Sequence, residues 1–451
     1  MYHIHPVLKE IGAIFSRAGC SVFLVGGAVR DMVRGKDAHD WDLATNADPE
    51  EVSKLFHEVI PTGIKHGTVT VLFRGYSIEV TTFRTESGYA DGRHPDSVKY
   101  AATIEEDLSR RDFTMNALAL ELPGARLVDP FAGQKDIKDK VIRCVGSPQE
   151  RFSEDGLRIL RALRFAAQLG FTIESGTMAA IPASVPMISK VSEERIRDEF
   201  DKMLESNRPS DAFIPMEKAG LLERILPELA RCRGVEQKGF HRFDVLDHSL
   251  LACDYAARNH YPHTVRLAAL FHDIGKPDTR QLDESGKWTF YRHEKISADL
   301  TRAILTRFRY SNAVIEEVVH LIAEHMFHYE EQWRTASVRR FIVRVGVQHL
   351  PALYQLRRAD TFGTAGVEAP PDSLEPLMSR VDSVLAQQNC LSLKDLAING
   401  RDIIALGIPP GPRVGMVLQE LFETTLEDPD QNTPEQLKTI AQNIIKRWEE
   451  E

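Results

Sequence analysis

Residues 21–45 read SVFLVGGAVRDMVRGKDAHDWDLAT, and the fold is decided by how this stretch is read. A β-type apolar run ends at Gly26 and Gly27. A short helical stretch carrying Arg30 and Asp31 follows, and Asp40-Trp41-Asp42 then heads a second short strand. Alternate residues of a strand point to one face, so Asp40 and Asp42 are expected to project together with Trp41 turned away. Two carboxylates on one face repel each other and call for a cation. Mg²⁺ suits them, because it is held by one or two carboxylates together with substrate phosphates. The glycine pair lets backbone N–H groups approach a triphosphate. A D-x-D alone is usually a solvated pair. The full string of strand, Gly-Gly, helix, Arg-Asp and D-x-D is far rarer, and it points to metal-dependent nucleotidyl transfer.

This segment resembles the nucleotidyltransferase superfamily of the polymerase-β type. More narrowly, it is similar to the class II tRNA nucleotidyltransferase and poly(A) polymerase family. The rest of the chain bounds that reading. A chain of 451 residues is too long for one ordinary core, so several domains are expected. Hydrophobic content of 43% with 27% charged residues describes a soluble globular protein. No apolar run approaches the roughly 18 residues of a membrane span, and no membrane partner is expected. The N-terminus, MYHIHPVLKEIGAIF, reads as an amphipathic helix and lacks a signal-peptide pattern. Cys20, Cys144, Cys232, Cys253 and Cys390 form no C-x-x-C pair, which argues for free thiols and a cytoplasmic location. A net charge of −10 argues against a general nucleic-acid coat protein but allows an enzyme with a local basic groove.

Short β-type runs mix with helices first, and helical periodicity then takes over. TVTVLF and SIEVTTF, within 68–83, read as strands, as do LALEL and RLVDP. The expected fold class is therefore α/β plus all-α: a polymerase-β-type head at 1–140, a helical neck at 141–236, a histidine-rich helical body at 237–367 and a helical tail at 368–451. EAPPDSLEP (368–376) reads as a linker. There is no internal repeat.

Within the head, Glu79 of SIEVTTF is either a third metal-site carboxylate or a surface strand residue. FRTESGYADGRHPDSVKY (83–100) carries Arg84, Arg93 and His94 and reads as a mobile surface loop. The resemblance implies that it is the family's flexible loop, which rearranges the site for the final ATP addition. DLSRRDFTMNAL (107–118) packs Arg110, Arg111 and Asp112 before an apolar stretch. Beside a nucleotide site such arginines bind triphosphate or ribose by charge-assisted hydrogen bonds, and the string RRDFT-x-NA matches the family. Asp129 and Gly133 of VDPFAGQKDI (128–137) read as structural.

SEDGLRILRALRF (153–165) is the second decisive segment. Ser153 is a candidate N-cap, as is Ser192 further on. Glu154 and Asp155 are then expected in a first helical turn, where the helix dipole favours acids. Arg158 lies one turn on, at intrahelical salt-bridge spacing, and Arg161 and Arg164 continue a slowly drifting stripe. On composition this is a charged helix face. The alternative is base recognition, since a carboxylate accepts from the cytosine amine and an arginine donates to ring acceptors. The segment resembles the family's E-D-x-x-R motif. That resemblance implies that Asp155 and Arg158 select CTP and ATP without a nucleic-acid template, and that Arg161 and Arg164 help hold the nucleotide. EERIRDEF (193–200) resembles the helix that braces this selector.

DHSLLACDYAARNHYPHTVRLAALFHDIGKPDT (247–279) carries His248 and the pair His272-Asp273, with His293, His325 and Asp360 beyond. Histidines and aspartates on separate helices can converge on one cation. The order, with Gly275-Lys276 after the pair, resembles the HD phosphohydrolase domain. That resemblance implies that His248, His272, Asp273 and Asp360 bind a divalent transition metal (Ni²⁺, Mn²⁺, Co²⁺ or Fe²⁺). It places His293 and His325 at a second ion and Lys276 near the leaving phosphate. The alternative is a retained helical scaffold that holds RNA.

GRDIIALGIPPGPRVGMVLQEL (400–421) has a Gly/Pro turn between two helices, either an ordinary connection or a helix-hairpin-helix-like phosphate contact. In the family this end contacts the tRNA elbow, which makes Arg413 a phosphate-contact candidate. The whole resemblance implies an enzyme that adds the terminal C-C-A to tRNA from CTP and ATP with Mg²⁺, as a monomer or homodimer. An A-adding enzyme that needs a CC-adding partner carries the same motifs. A poly(A) polymerase usually has a basic tail, whereas this chain ends in WEEE. A reading from another class makes the head inactive and the chain an HD phosphohydrolase or RNA-binding module; the intact D-x-D speaks against it.

Overall fold

The computed structural model describes every residue except Met1, His39, 64–66, 88–96, 238–241, 369–373, 388–389 and Glu451. The chain forms two compact units. One comprises Met1–Arg231 with Ile304–Tyr310, and the other comprises Cys232–Ala303 with Ser311–Glu451. Among the described residues, no helix is long and apolar enough to cross a membrane.

The first unit opens with helix α1 (Pro6–Arg17), followed by β1 (Val22–Val25), α2 (Gly27–Val33), β2 (Asp42–Thr45) and α3 (Pro49–Leu55). Strands β3 (Val59–Gly63), β4 (Thr68–Phe73) and β5 (Tyr76–Thr82) come next, then a separate hairpin of β6 (Arg84–Ser87) and β7 (Ser97–Tyr100). Helix α4 (Ile104–Ser109), β8 (Ala119–Leu122), β9 (Leu127–Val128) and α5 (Gly133–Asp139) complete the head. The seven-stranded sheet runs β3-β4-β5-β2-β1-β8-β9, and β2 pairs with β5 in parallel. All four residues of β1 are buried, as expected of a central strand covered on both faces. Phe23 and Val25 join Ala44, Leu108, Ala119 and Val128 in one core. On α1, Gly12 lets the helix touch β8, because a Cβ there would lie 2.8 Å from the Leu122 backbone.

The neck continues through β10 (Val141–Ile142), α6 (Pro148–Glu154), α7 (Leu157–Leu169), β11 (Thr172–Ile173) and α8 (Ser175–Ser184). Helices α9 (Glu193–Leu204), α10 (Ser210–Lys218), α11 (Leu221–Ile225) and α12 (Pro227–Ala230) close it. The structure corrects one expectation here. Ser153 is not an N-cap: it lies inside α6, whose cap is Ser147. Glu154 ends α6 and Asp155, with φ −147°, is the break before α7, so neither acid occupies a first helical turn. The break is fixed from outside, since a Cβ on Gly156 would lie 2.7 Å from the Met187 carbonyl oxygen. Ser192 does precede α9, without a side-chain capping bond.

The second unit contains α13 (Val245–Arg258), α14 (His263–Phe271), α15 (Lys276–Thr279) and a hairpin of β12 (Gln281–Leu282) and β13 (Trp288–Thr289). Helices α16 (His293–Arg307), α17 (Asn312–Glu324), α18 (Thr335–Val345) and α19 (Leu350–Ala365) follow. Helix α20 (Glu375–Ala386) begins inside the stretch read as a linker. Helices α21 (Gly400–Ala405), α22 (Pro412–Glu427) and α23 (Pro434–Glu450) then gather a core around Ile403, Val417, Leu421 and Leu437.

Candidate active site

In the first unit, Gly26 takes φ +70°, a conformation that L side chains rarely adopt, and ends β1 on a turn into α2. A side chain there would also meet Arg111, whose Nη1 lies 3.1 Å from the Cβ position. Asp42 opens β2, so Asp40 precedes the strand and simple strand alternation does not place it. The two carboxylates are nevertheless neighbours. Burial raises the Asp42 carboxyl above its ordinary range, Glu79 and Asp40 push it further, and Arg111 opposes them. Glu79 faces Asp42 directly in the β2–β5 register. Asp40 and Glu79 are exposed, whereas Trp41 packs with His5 and Tyr76 and donates its indole N–H to the Ala38 carbonyl. The three carboxylates thus stand together on open surface, and a divalent cation relieves their repulsion.

Beside them lies a cavity of about 410 Å³, lined by Gly26, Gly27, Arg30, Asp42, Arg110, Arg111, Asp112, Asn116, Asp155, Leu157, Arg158, Arg161, Phe165 and Arg195. Six guanidiniums face three carboxylates in this lining, an excess suited to a polyanion. Most of the guanidiniums are already oriented by acids. Arg30 pairs with Asp31 at 2.9 Å and donates to Asn116 at 3.1 Å. Arg110 and Arg111 share the buried Asp107. Arg161 holds the buried Asp112 at 2.7 Å. Against burial, which alone would raise it, Arg161 and the Asn116 amide take the Asp112 carboxyl down to about 2.

In the selector segment the i,i+4 pair allowed by its spacing, Glu154 with Arg158, does form, while Asp155 is held from outside the segment. Asp155 is held by Arg195 of α9, at 2.6 and 3.3 Å. Arg158 binds Glu154 at 2.5 Å across the helix break, and donates to the Arg151 and Arg110 carbonyls. Arg164 does not line the cavity. It is buried, paired with Glu199 at 2.5 Å and stacked 3.8 Å over Phe165, because its part of the α7 stripe faces α9. Arg84 belongs to β6 and lies outside the cavity lining; its main-chain N–H donates to Asp107 at 3.3 Å. The expected loop is strand-paired at its base, and Arg93 lies outside the described residues. Asp129 accepts the Gly133 N–H at 2.7 Å, and a Cβ on Gly133 would collide with the Thr114 carbonyl. Sequence reasoning missed Arg195, Asp112, Asn116 and Phe165 as cavity residues. Arg195 stood in a quoted motif, but periodicity says nothing about which acid it reaches.

In the second unit, the residues named from the resemblance converge. His248 Nε2 and His272 Nε2 are 3.0 Å apart, and Asp360 Oδ1 lies 3.2 and 3.5 Å from them. Asp273 Oδ2 lies 3.3 and 3.4 Å from the same two nitrogens, and its Oδ1 is 3.2 Å from His293 and 3.9 Å from His325. His272, His293 and His325 sit at helix ends. Each places Nδ1 within 2.7–2.9 Å of the carbonyl three residues back, at Ala269, Phe290 and Ile322. A carbonyl only accepts, so these Nδ1 atoms carry protons and the Nε2 lone pairs face inward. Burial, with His272 and His293 nearby, takes His325 down to about 3, which keeps it neutral. Although burial alone would raise it, His272 and Lys276 hold the Asp273 carboxyl well below the ordinary range. Among the described residues, Asp273 Oδ1 and His293 Nε2 are buried without hydrogen-bond geometry to any group, despite their proximity. Inward lone pairs and orphaned buried atoms around one point fit a divalent metal. Lys276 bridges Asp273 and Gln237 at 2.6 and 2.5 Å, and the adjacent cavity of about 720 Å³ is also lined by Arg357, Phe290 and Tyr291. Arg413 is exposed in the first turn of α22.

Comparison with known proteins finds matches across both units. A model of the poly(A) polymerase head domain matches residues 22–143, one of the probable RNA and SrmB-binding site of polymerase A matches 170–232, and an HD domain model matches 241–383. The CCA-adding enzyme of Lactobacillus johnsonii is 36% identical over 429 residues, covering 94% of this chain and 92% of that protein. That of Lactobacillus helveticus is 33% identical, covering 97% and 96%. Among solved structures, the Bacillus stearothermophilus CCA-adding enzyme in complex with CTP superposes with a TM-score of 0.73 at 29% identity, over 99% of this chain and 100% of that one. The Thermotoga maritima CCA-adding enzyme complexed with tRNA shares the fold, with a TM-score of 0.58 at 19% identity over 98% and 96%.

Proposed function

The chain belongs to the CCA-adding enzyme family, and from that premise we propose how its own residues add C-C-A to the 3′ end of tRNA from CTP and ATP. The observation that carries the reading is the adjacency of three mutually repelling carboxylates, Asp40, Asp42 and Glu79, to a cavity rich in guanidiniums. Asp40, Asp42 and Glu79 would hold Mg²⁺, which supplies Lewis-acid charge to the attacking 3′-hydroxyl and to the departing pyrophosphate. Arg30 and Arg111, beside Gly26 and Gly27, orient the triphosphate so that its α-phosphate faces that hydroxyl. Asp155 and Arg158 face the base, and Arg161 closes the cavity wall through Asp112.

In the second unit, His248, His272, Asp273 and Asp360 would hold a divalent transition metal (Ni²⁺, Mn²⁺, Co²⁺ or Fe²⁺), with His293 and His325 completing the set. Such an ion supplies an activated water for phosphoester hydrolysis. Lys276 stands ready for the phosphate charge. In the tail, Arg413 contacts a tRNA phosphate. On this reading the chain divides into head, neck, body and tail at 1–140, 141–236, 237–367 and 368–451. The test is to replace Asp40 and Asp42 by Ala: nucleotide incorporation should vanish with metal binding in the second unit intact. Surviving incorporation would refute the carboxylate assignment.

A further inference from the structure

We propose that the open aromatic cavity around Trp41 is a nucleobase subsite, which stacks an unpaired base of the RNA strand that presents its 3′-hydroxyl to the head. The inference rests on the nucleotidyl-transfer reading of the head and adds a place for the second substrate.

Three rings form the site. Trp41 and Tyr76 stack at 4.9 Å with 29° between their planes, and His5 lies 4.8 and 5.5 Å from them. They line a cavity of about 710 Å³ that shares no lining residue with the guanidinium-rich one, so both can be filled at once. Rings that serve packing alone would be closed over; Tyr76 is instead 40% exposed. The platform is also held without a ligand. The Trp41 indole N–H donates to the Ala38 carbonyl at 2.8 Å, and the His5 ring accepts the Val7 N–H as the N-cap of α1. Preformed rings lose little freedom when a base arrives.

Position and charge choose the occupant. Trp41 stands between Asp40 and Asp42 in the chain, and Tyr76 precedes Glu79 by three residues on β5. A base stacked on these rings is therefore held close to the carboxylates that would receive the hydroxyl of the same strand. Lys36 and Asp37 are the only formally charged residues described in this lining, whereas six guanidiniums face the other cavity. A free triphosphate calls for clustered cations. A base within a strand takes its affinity from stacking, and Lys36 suffices to meet its backbone phosphate. A quaternary ammonium ligand, which aromatic rings also attract, meets the Lys36 charge here and a near-parallel ring pair in place of a box. Stacking is tolerant of sequence because every base has a π-face, so one platform accepts each successive end of a growing strand.

The experiment uses the full-length protein and tRNA ending at the discriminator base, with 2-aminopurine in that last position. Stacking on an aromatic ring quenches this fluorophore. Tyr76→Ala and Tyr76→Phe are compared with the parent, and KM is measured for tRNA and for CTP. The expected result is quenching by the parent and by Tyr76→Phe and none by Tyr76→Ala. Tyr76→Ala should also raise the KM for tRNA about fivefold or more at an unchanged KM for CTP. A merely structural role would move both KM values together, and a role for the hydroxyl would make Tyr76→Phe as poor as Tyr76→Ala; either result overturns the inference. Should Tyr76→Ala fail to fold, the parent alone decides. 4-Thiouridine at the last position of the tRNA should then photocrosslink to the peptides carrying Trp41 or Tyr76. Crosslinks confined to other peptides overturn the inference, and so does their loss to free CMP or AMP as readily as to competing tRNA, which would make this a free-nucleotide site. Failure of the underlying reading looks different, because the parent would then incorporate no nucleotide.

Discussion

Around the head cavity, acids orient guanidiniums in an open setting, whereas in the second unit four histidines and two aspartates, all but Asp360 buried, turn inward on one another. In the head, Asp31, Asp107, Asp112, Asp155 and Glu154 each hold an arginine in place, and the three carboxylates at the head of β2 and on β5 stand exposed. Such a site suits a large polyanion arriving with a hydrated ion. In the second unit, backbone carbonyls fix the imidazoles and leave nitrogen lone pairs pointing at a common centre. That arrangement suits a bare transition-metal ion retained by the protein. The lesson is that one chain carries two differently built sites, an open acidic cluster suited to a transient ion and a closed histidine–aspartate cluster suited to a retained one.

Breaking each site alone tests this separation most strongly. Asp42→Ala should lower nucleotide incorporation by at least about 1,000-fold, a loss of roughly 4 kcal/mol of transition-state stabilisation. Metal content measured by mass spectrometry should stay unchanged. The reciprocal variant, His272→Ala, should weaken retention of Mn²⁺ or Ni²⁺ in the second unit by about 100-fold or more, since even supporting residues cost 10- to 100-fold. Its incorporation rate should stay within about twofold of the parent, as expected of sites that share no residue.

The head's dependence on ion pairs can be sharpened with pH. Asp112 has its folded value depressed from 3.8 to about 2. The stabilisation is therefore fully present above pH 4 and is lost as pH falls from about 4 towards 2, amounting to about 2 kcal/mol. In urea titrations, Asp112→Asn should be less stable at pH 6 by that amount and show a flatter decline between pH 4 and 2. A parallel decline in variant and parent would contradict the Arg161–Asp112 account. Smaller still, Asp155→Ala and Arg158→Ala should each reduce CTP-over-UTP selection by about 10-fold with little loss of stability. At the low end, Arg413→Ala should raise the KM for tRNA only two- to threefold or so and reduce its salt dependence. An unchanged salt slope would remove Arg413 from the RNA-contact surface.

Much of this architecture was legible because the determining signals are local. Alternating β-branched residues in TVTVLF and SIEVTTF form β4 and β5, and the Gly26-Gly27 pair ends β1. The histidine set was legible in its members for a different reason: few structural demands produce that order of residues. The selector was misread in its details because its geometry is imposed from a distance. The α6–α7 break depends on Gly156 meeting Met187, and Asp155 finds its arginine 40 residues on. Arg164 looked equivalent to Arg161 on the stripe, yet a buried Glu199 of α9 claims it. Helical spacing ranks neighbours on one helix; it carries no information about which partner helix will neutralise them.

The central claim is that this chain builds the whole C-C-A sequence with its own nucleotide selector. The most direct measurement incubates the protein with Mg²⁺ and tRNA ending at the discriminator base, supplying CTP alone, ATP alone or both, and sequences the 3′ ends. A parallel reaction uses tRNA already ending in CC. The account predicts C-C with CTP alone and C-C-A with both nucleotides. No extension of the first substrate, with A added to the CC-ended one, would contradict it and make the chain an A-adding enzyme dependent on a partner.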